Sequence, residues 1–176
     1  LLRKLNFSKS IIVFSAIVGA AINYAINLVV VFVFALINGV PLNWGWLIII
    51  PLSIELALMA TGIAFILTTF FVKYRDIGPI WEVVLQAGMY ATPIIYSLNF
   101  IIQRGQPTIA KILMMNPLPQ NIQELRHLAI YSGSMRGGDL INNHWIAAVP
   151  YLLPFLIFFF GFYIFNKNAN RFAEIL

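Results

Sequence analysis

The sequence predicts an all-α membrane protein, a polytopic helical bundle of about four transmembrane helices with a re-entrant or interfacial helical hairpin. Of its 176 residues, 61% are hydrophobic and 10% are charged, and the mean hydropathy is +0.88. A soluble domain carries about 25% charged residues because water covers its surface. Several apolar stretches are long enough to cross a hydrocarbon core of about 30 Å, which takes roughly 20 residues. These observations exclude a water-soluble domain.

The four predicted spans belong to one transmembrane domain that covers residues 1–176. They are residues 11–37, 46–72, 80–100 and 145–165. The first and last spans contain no charged residue, the second contains Glu55, and the third contains Glu82 near its start. A turn rich in Asn, Gly and Pro joins the first two spans, and a short charged turn follows the second.

Positive residues outside the spans predict the orientation, because cytoplasmic segments are enriched in Lys and Arg. The chain has 11 Lys plus Arg against 6 Asp plus Glu. Most of the positive residues lie in residues 1–10, the turn 73–79 and the tail 166–176, which we therefore expect inside the cell. Residues 101–144 are then external. Because the chain does not begin with Met, we expect it to be part of a longer protein.

The external segment 101–144 predicts two short helices instead of a plain loop. Thr108–Met115 is apolar but too short to span a bilayer. Asn116 can cap a second helix over Pro117–Tyr131, since Pro117 needs no helical amide partner there. Ile122, Leu125, Leu128 and Ala129 form the apolar face of this helix, whereas Gln123, Glu124 and His127 fall largely elsewhere. Of these, the ionisable Glu124 and His127 are expected at the surface. A re-entrant hairpin and an amphipathic pair lying flat on the membrane both fit this pattern.

Polar side chains within a span are costly in lipid and therefore mark candidate functional positions. Ser15, Gly19, Asn23 and Asn27 recur every four residues in the first span, which fits either close helix packing or a hydrophilic path. Glu55 lies at the same depth in the second span as Asn27 in the first. We therefore expect Asn27 to donate a hydrogen bond to Glu55. For Glu55, structural fastening and a proton or substrate role both stay open.

The third span contains a proline between two tyrosines. Pro93 frees a backbone carbonyl and bends the helix. Tyr90 and Tyr96 present rings with polar tips, which suit either the membrane interface or contact with sugar rings. Catalytic, cofactor-binding and metal sites are not expected, because His127 and His144 lack an evident third ligand and the chain has no Cys.

The order of several landmarks resembles the permease subunit of type-2 ATP-binding-cassette exporters, within the polysaccharide and teichoic-acid export branch. These landmarks are Leu2–Lys9 before the first span, Val72–Ile77 between two spans, Tyr90–Tyr96, and Asn116–Leu118 with Arg126 downstream. The resemblance covers essentially the whole chain. It implies that the chain is the C-terminal part of a six-span permease. A complete transporter would then contain two permease copies and two ATPase subunits.

The resemblance also implies roles for particular residues. The cytoplasmic residues expected to couple to the ATPase are Arg3, Lys4, Asn6, Phe7, Arg75 and Asp76. The intramembrane polar candidates are Asn23, Asn27 and Glu55, and the candidates for the translocation path or its exit are Gln86, Tyr90, Pro93, Tyr96, Asn116, Pro117 and Arg126. The chain has no G-x-x-x-x-G-K-[ST] loop. We therefore expect a transport subunit that is not an enzyme and binds no cofactor, with ATP and Mg²⁺ on the partner.

The expected function is ATP-driven export of a lipid-linked polysaccharide, such as O-antigen, capsule or teichoic acid, across the bacterial plasma (inner) membrane. The expected partners are a cassette ATPase, a second copy of the permease (a homodimer), membrane lipids and the glycan, but no nucleic acid. One alternative is a drug or antibiotic exporter of the same superfamily. Others are an accessory subunit and a membrane-embedded transferase, for which Glu124, Arg126, His127, Asp139 and His144 supply ionisable groups at the outer face.

Overall fold

The structure is a computed structural model that describes residues 10–168 except 75, 95, 131–132 and 142. Every element in this part of the chain is a helix, which confirms the predicted all-α membrane bundle. Five of the predicted coupling residues lie outside the described residues, namely Arg3, Lys4, Asn6, Phe7 and Arg75.

Eight helices make up the described chain, together with two short irregular helical turns. They are α1 (Ser10–Ile37), α2 (Ile49–Lys73), α3 (Ile77–Ala91), α4 (Leu98–Gln103), α5 (Pro107–Met114), α6 (Pro117–Leu125), α7 (Gly137–Leu140) and α8 (His144–Asn168). A 3₁₀ turn, Trp44–Ile48, leads into α2, and a π turn, Arg126–Ile130, extends α6. Among the described helices, three segments are long and apolar enough to cross a membrane: Val13–Ile37, Trp44–Val72 and His144–Asn168.

The third predicted span, 80–100 with a bend at Pro93, is not a single bent helix in the structure. Helix α3 has 15 residues and ends at Ala91, so it is about 22 Å long, which is short of a core of about 30 Å. The break follows from Pro93, which lacks an amide hydrogen and disfavours helical backbone in the residue before it. Thr92 accordingly has extended backbone, with φ −96° and ψ 132°. The chain then turns and begins α4 at Leu98.

The centre of the bundle is the crossing of α2 and α8, where two glycines bring the backbones into direct contact. A Cβ atom added at Gly62 would lie 2.6 Å from the carbonyl oxygen of Ile157, and one added at Gly161 would meet the carbonyl oxygen of Gly62. Phe65 and Phe165 pack beside this crossing with ring centroids 4.9 Å apart, and both are buried. Small residues permit such close approach of helices in lipid, where dispersion contacts supply the attraction.

Helix α1 packs against α2 along one face and leaves the rest uncovered by the described chain. Val13 joins the cluster around Phe65 and Phe165, and Phe32 stacks on Trp46 with centroids 4.7 Å apart. The predicted polar stripe lies on the uncovered part, since Asn23 and Asn27 are exposed and no atom lies within 4 Å of a Cβ built on Gly19. Exposed Val29 and Ile37 are also consistent with a lipid-facing helix.

Candidate functional site

Helix α6 lies between α2 and α8 instead of lying flat across their ends. The Asn121 side chain donates a hydrogen bond of 3.1 Å to the Leu52 carbonyl oxygen of α2. The Tyr151 hydroxyl of α8 donates one of 3.0 Å to Glu124. Leu52 and Tyr151 lie eight and seven residues after the starts Trp44 and His144 of their helical segments, which corresponds to a depth of roughly 10–12 Å. This arrangement favours the re-entrant hairpin over the flat amphipathic pair.

The predicted start of α6 is confirmed. Asn116 has extended backbone at the N-cap, and its side-chain oxygen accepts a hydrogen bond of 3.1 Å from the Leu118 amide. Pro117 occupies the first helical position, where its missing amide hydrogen leaves no gap in the hydrogen bonding. The helical segment continues through the π turn to Ile130. Tyr131, the predicted last residue, lies outside the described residues.

The prediction that Glu124 lies at the surface is wrong. Gln123 is 3% exposed and Glu124 is 8% exposed, and Gln120 and Asn121 are buried beside them. The expectation assumed that polar groups face water. For a helix inserted among membrane helices, the favourable arrangement directs polar groups towards other protein groups, because lipid offers no hydrogen-bond partners.

Glu124 is the centre of a polar network that joins three parts of the chain. Its carboxylate accepts the Tyr151 hydrogen bond through Oε1 and forms an ion pair of 3.1 Å with the Arg136 guanidinium through Oε2. Asp139 fixes the segment that carries Arg136, because its carboxylate accepts a hydrogen bond of 2.9 Å from the Arg136 backbone amide. The network therefore fastens the segment before α7 to α6 and α8.

The predicted hydrogen bond between Asn27 and Glu55 is wrong. Asn27 donates instead to the Asn23 carbonyl oxygen at 3.0 Å within its own helix. Asn27 is exposed on α1, and the contacts between α1 and α2 place Tyr24, not Asn27, beside the turn of α2 that precedes Glu55: the Tyr24 and Ser53 hydroxyls are 3.1 Å apart. Glu55 is buried and faces α6, where the Asn121 side chain and the Glu124 charge act on its carboxylate. Its Oε1 atom has no hydrogen-bond partner in the described chain.

Arg126 holds the bend that follows α3. One guanidinium nitrogen donates to the Pro93 carbonyl oxygen and another to the Ile94 carbonyl oxygen, each at 3.0 Å. Two neighbouring backbone carbonyls beyond the end of α3 match the planar fork of a guanidinium. The Tyr96 hydroxyl also donates to the Tyr90 carbonyl oxygen at 3.1 Å. We call Arg126 with Pro93 and Ile94 the bend clamp.

The structure brings some of the predicted site residues together and leaves others apart. Four of them lie at the bend after α3: Pro93 and Arg126 in the bend clamp, and Tyr90 and Tyr96 in the hydrogen bond beside it. Gln86 is exposed on α3, and Asp76 is exposed at the start of α3 without a side-chain capping bond. Asp76 therefore keeps its carboxylate available at the end of the bundle opposite α6.

A cavity of about 300 Å³ lies beside α6, and none of the residues predicted for the path lines it. Its polar wall is formed by Gln120, Glu124, Arg136, Asp139 and Tyr151. The signal that could have found Gln120 and Glu124 is the polar run Gln120, Asn121, Gln123 and Glu124 within a re-entrant segment, since such a run faces other protein groups when it lies among membrane helices. In the described part of the chain, no three His, Asp or Glu residues come together as a metal site requires.

Comparison with known proteins supports an export permease. Two curated proteins of Klebsiella pneumoniae, both named O-antigen export system permease protein RfbA, are each 27% identical to the chain over 177 residues. The aligned region is 100% of this chain. This chain is similar to an export permease throughout its length. The resemblance predicted from the sequence is therefore confirmed.

The chain spans 64% of the length of these permease relatives. No family model matches the chain, and no solved structure matches it.

Proposed function

We propose that this chain is the membrane-embedded part of an ATP-driven exporter that moves a lipid-linked polysaccharide, of the O-antigen class, across the bacterial inner membrane. The observation that carries the proposal is the similarity over 100% of the chain to permeases named for O-antigen export. The long apolar helices are consistent with this role, because they supply the membrane-spanning scaffold that a permease requires.

The two ends of the bundle suit different tasks in this proposal. The charged turn that contains exposed Asp76, with Arg75 beside it in sequence, would contact a cassette ATPase on the cytoplasmic side. Residues 1–10 would belong to the same contact. At the other end, α4 to α7 form a compact cap that α6 anchors between α2 and α8. Movement transmitted from the ATPase along α2 and α8 would reach this cap directly.

The test is reconstitution of the full-length permease with the cassette ATPase encoded beside it. The complex is placed in proteoliposomes, and ATP hydrolysis is measured with and without the lipid-linked O-antigen of the source cell. We expect the ATPase to co-purify, and the glycan to stimulate hydrolysis and to move across the membrane. A glutamate-to-glutamine variant of the ATPase that cannot hydrolyse ATP is the control, and its transport is expected to stop.

Other outcomes would contradict the proposal. Stimulation by hydrophobic drugs with no response to the glycan would indicate a drug exporter. A protein that purifies without any ATPase, from cells whose surface polysaccharide is unchanged when its gene is deleted, would indicate an enzyme or an accessory subunit.

A further inference from the structure

The cavity beside α6 contains a buried amide, Gln120, that lies near the Tyr151 hydroxyl but is outside hydrogen-bond distance of any described group. Gln120 is 1% exposed, yet neither its amide nitrogen nor its amide oxygen makes a hydrogen bond in the described chain. The Nε of Arg136 lines the same cavity and also lacks a partner there. Leaving a buried amide unpaired is unfavourable, because water no longer supplies its hydrogen bonds. Two unpaired groups that share one cavity therefore point to a ligand that both donates and accepts hydrogen bonds.

The charges of the cavity wall favour a neutral ligand. One guanidinium, Arg136, lies among the carboxylates Glu124 and Asp139. A metal cation would be repelled by the guanidinium, which already occupies the Glu124 carboxylate at 3.1 Å. A phosphate would be repelled by the two carboxylates. A hydroxyl group suits this wall, because it donates to a carboxylate or amide oxygen and accepts from an amide or guanidinium nitrogen.

The size and shape of the cavity favour a single small ring. Its volume of about 300 Å³ lies at the lower end of the range for ligand pockets. The Tyr151 ring and the buried Pro150 supply an apolar wall next to the polar groups. A sugar has the same combination, with hydroxyls around its edge and apolar C–H groups on its face.

We propose that this cavity binds one sugar residue, with its hydroxyls bonded to the Gln120 amide and the Arg136 Nε and its ring against Tyr151. The Glu124 carboxylate positions Arg136 and the Tyr151 hydroxyl for this contact. That the sugar belongs to the exported glycan rests on the proposed function, whereas the binding itself does not. The cavity would thus be a side pocket that recognises one residue of the polymer.

The test uses a single cysteine as a reporter, since residues 1–176 contain no Cys. Gly138→Cys places it at the cavity, where a side chain meets no atom within 4 Å, and Gly88→Cys places a matched control on α3. The full-length permease, with any cysteine outside these residues replaced by serine, is studied in nanodiscs with its ATPase. The rate of maleimide modification is measured at increasing concentrations of the methyl glycosides of glucose, galactose, mannose and rhamnose, each added separately.

We expect at least one of these glycosides to slow modification at position 138 in a saturable manner, with no effect at position 88. Gln120→Leu should raise the half-protecting concentration about tenfold, the equivalent of one or two hydrogen bonds. Gln106→Leu, at an exposed position, should leave it unchanged. A thermal unfolding curve of each variant shows that the fold is retained.

The proposal is overturned if no glycoside slows modification at position 138, or if a glycoside slows modification equally at position 88. It is likewise overturned if a glycoside protects position 138 in the Gln120→Leu variant at the same concentration as in the parent protein. It is also overturned if Mg²⁺, K⁺ or inorganic phosphate alone gives the protection. These outcomes are distinct from failure of the proposed function. A complex that exports glycan without protection at 138 refutes the cavity assignment alone, whereas protection without glycan export refutes the transport role alone.

Discussion

Replacing Gly161 by leucine is expected to abolish the folded bundle. An added Cβ at this position meets the carbonyl oxygen of Gly62, which is backbone and cannot rotate aside. Gly161→Ala alone should cost about 1–3 kcal/mol by overpacking, and the larger side chain more. The variants are compared by heating the purified full-length protein in detergent and measuring the fraction that still elutes as a single species in size-exclusion chromatography.

Gly88→Ala is the matched control for this prediction. Gly88 also lies within an apolar helix, but no atom lies within 4 Å of an added Cβ. Alanine should therefore be neutral or stabilising there, since alanine favours helix over glycine by about 0.5–1 kcal/mol. If Gly161→Leu elutes like the parent after heating, the close crossing of α2 and α8 is contradicted.

Replacing Arg126 by alanine is expected to release the bend after α3 and to reduce polysaccharide export about tenfold or more. The substitution removes two hydrogen bonds from a charged group to the Pro93 and Ile94 carbonyls, and one such bond contributes about 1.5–3 kcal/mol. Arg126→Lys should restore little, because an ammonium group cannot reproduce the two-pronged contact. Surface polysaccharide is measured in cells that lack the native gene, alongside the amount of permease in the membrane.

Arg104→Ala is the control, because it removes the same charge from the same segment. The Arg104 guanidinium lies 4.1 Å from the centre of the exposed Phe100 ring, so its loss should alter export little. Normal export by Arg126→Ala at a normal membrane level would refute a functional role for the bend clamp. An equal loss in Arg104→Ala would show that the charge matters and the clamp does not.

The sequence was sufficient for the features that depend on local pattern. Apolar length predicted the long helices, and Asn116 with Pro117 predicted the start of α6 correctly, because a cap involves neighbouring residues only. Pro93 correctly predicted an interruption of the third span. Because the apolar stretch continues past Pro93, the sequence did not show that the helix ends there instead of bending. The extended backbone at Thr92 ends α3 outright, and Arg126, which lies 33 residues after Pro93, binds the Pro93 carbonyl oxygen beyond the end of the helix.

The features that the sequence did not predict depend on which faces meet. Asn27 and Glu55 were paired from counting residues along each span, whereas the structure pairs Tyr24 with Ser53 and bonds Asn27 within its own helix. Glu124 was expected at the surface because polar residues usually face water, and its partners Tyr151 and Arg136 are distant in the chain. A helical period shows that a stripe exists, but the surrounding medium and the neighbouring helices decide the direction it faces.

The most direct test of this account is the orientation of the bundle. A cysteine at Asp76 and another at Gly138 are placed singly in the full-length permease, and spheroplasts are treated with a membrane-impermeant maleimide. The account predicts that position 138 is modified in intact spheroplasts and that position 76 is modified only after the membrane is permeabilised. Modification of position 76 from outside the intact membrane would contradict it.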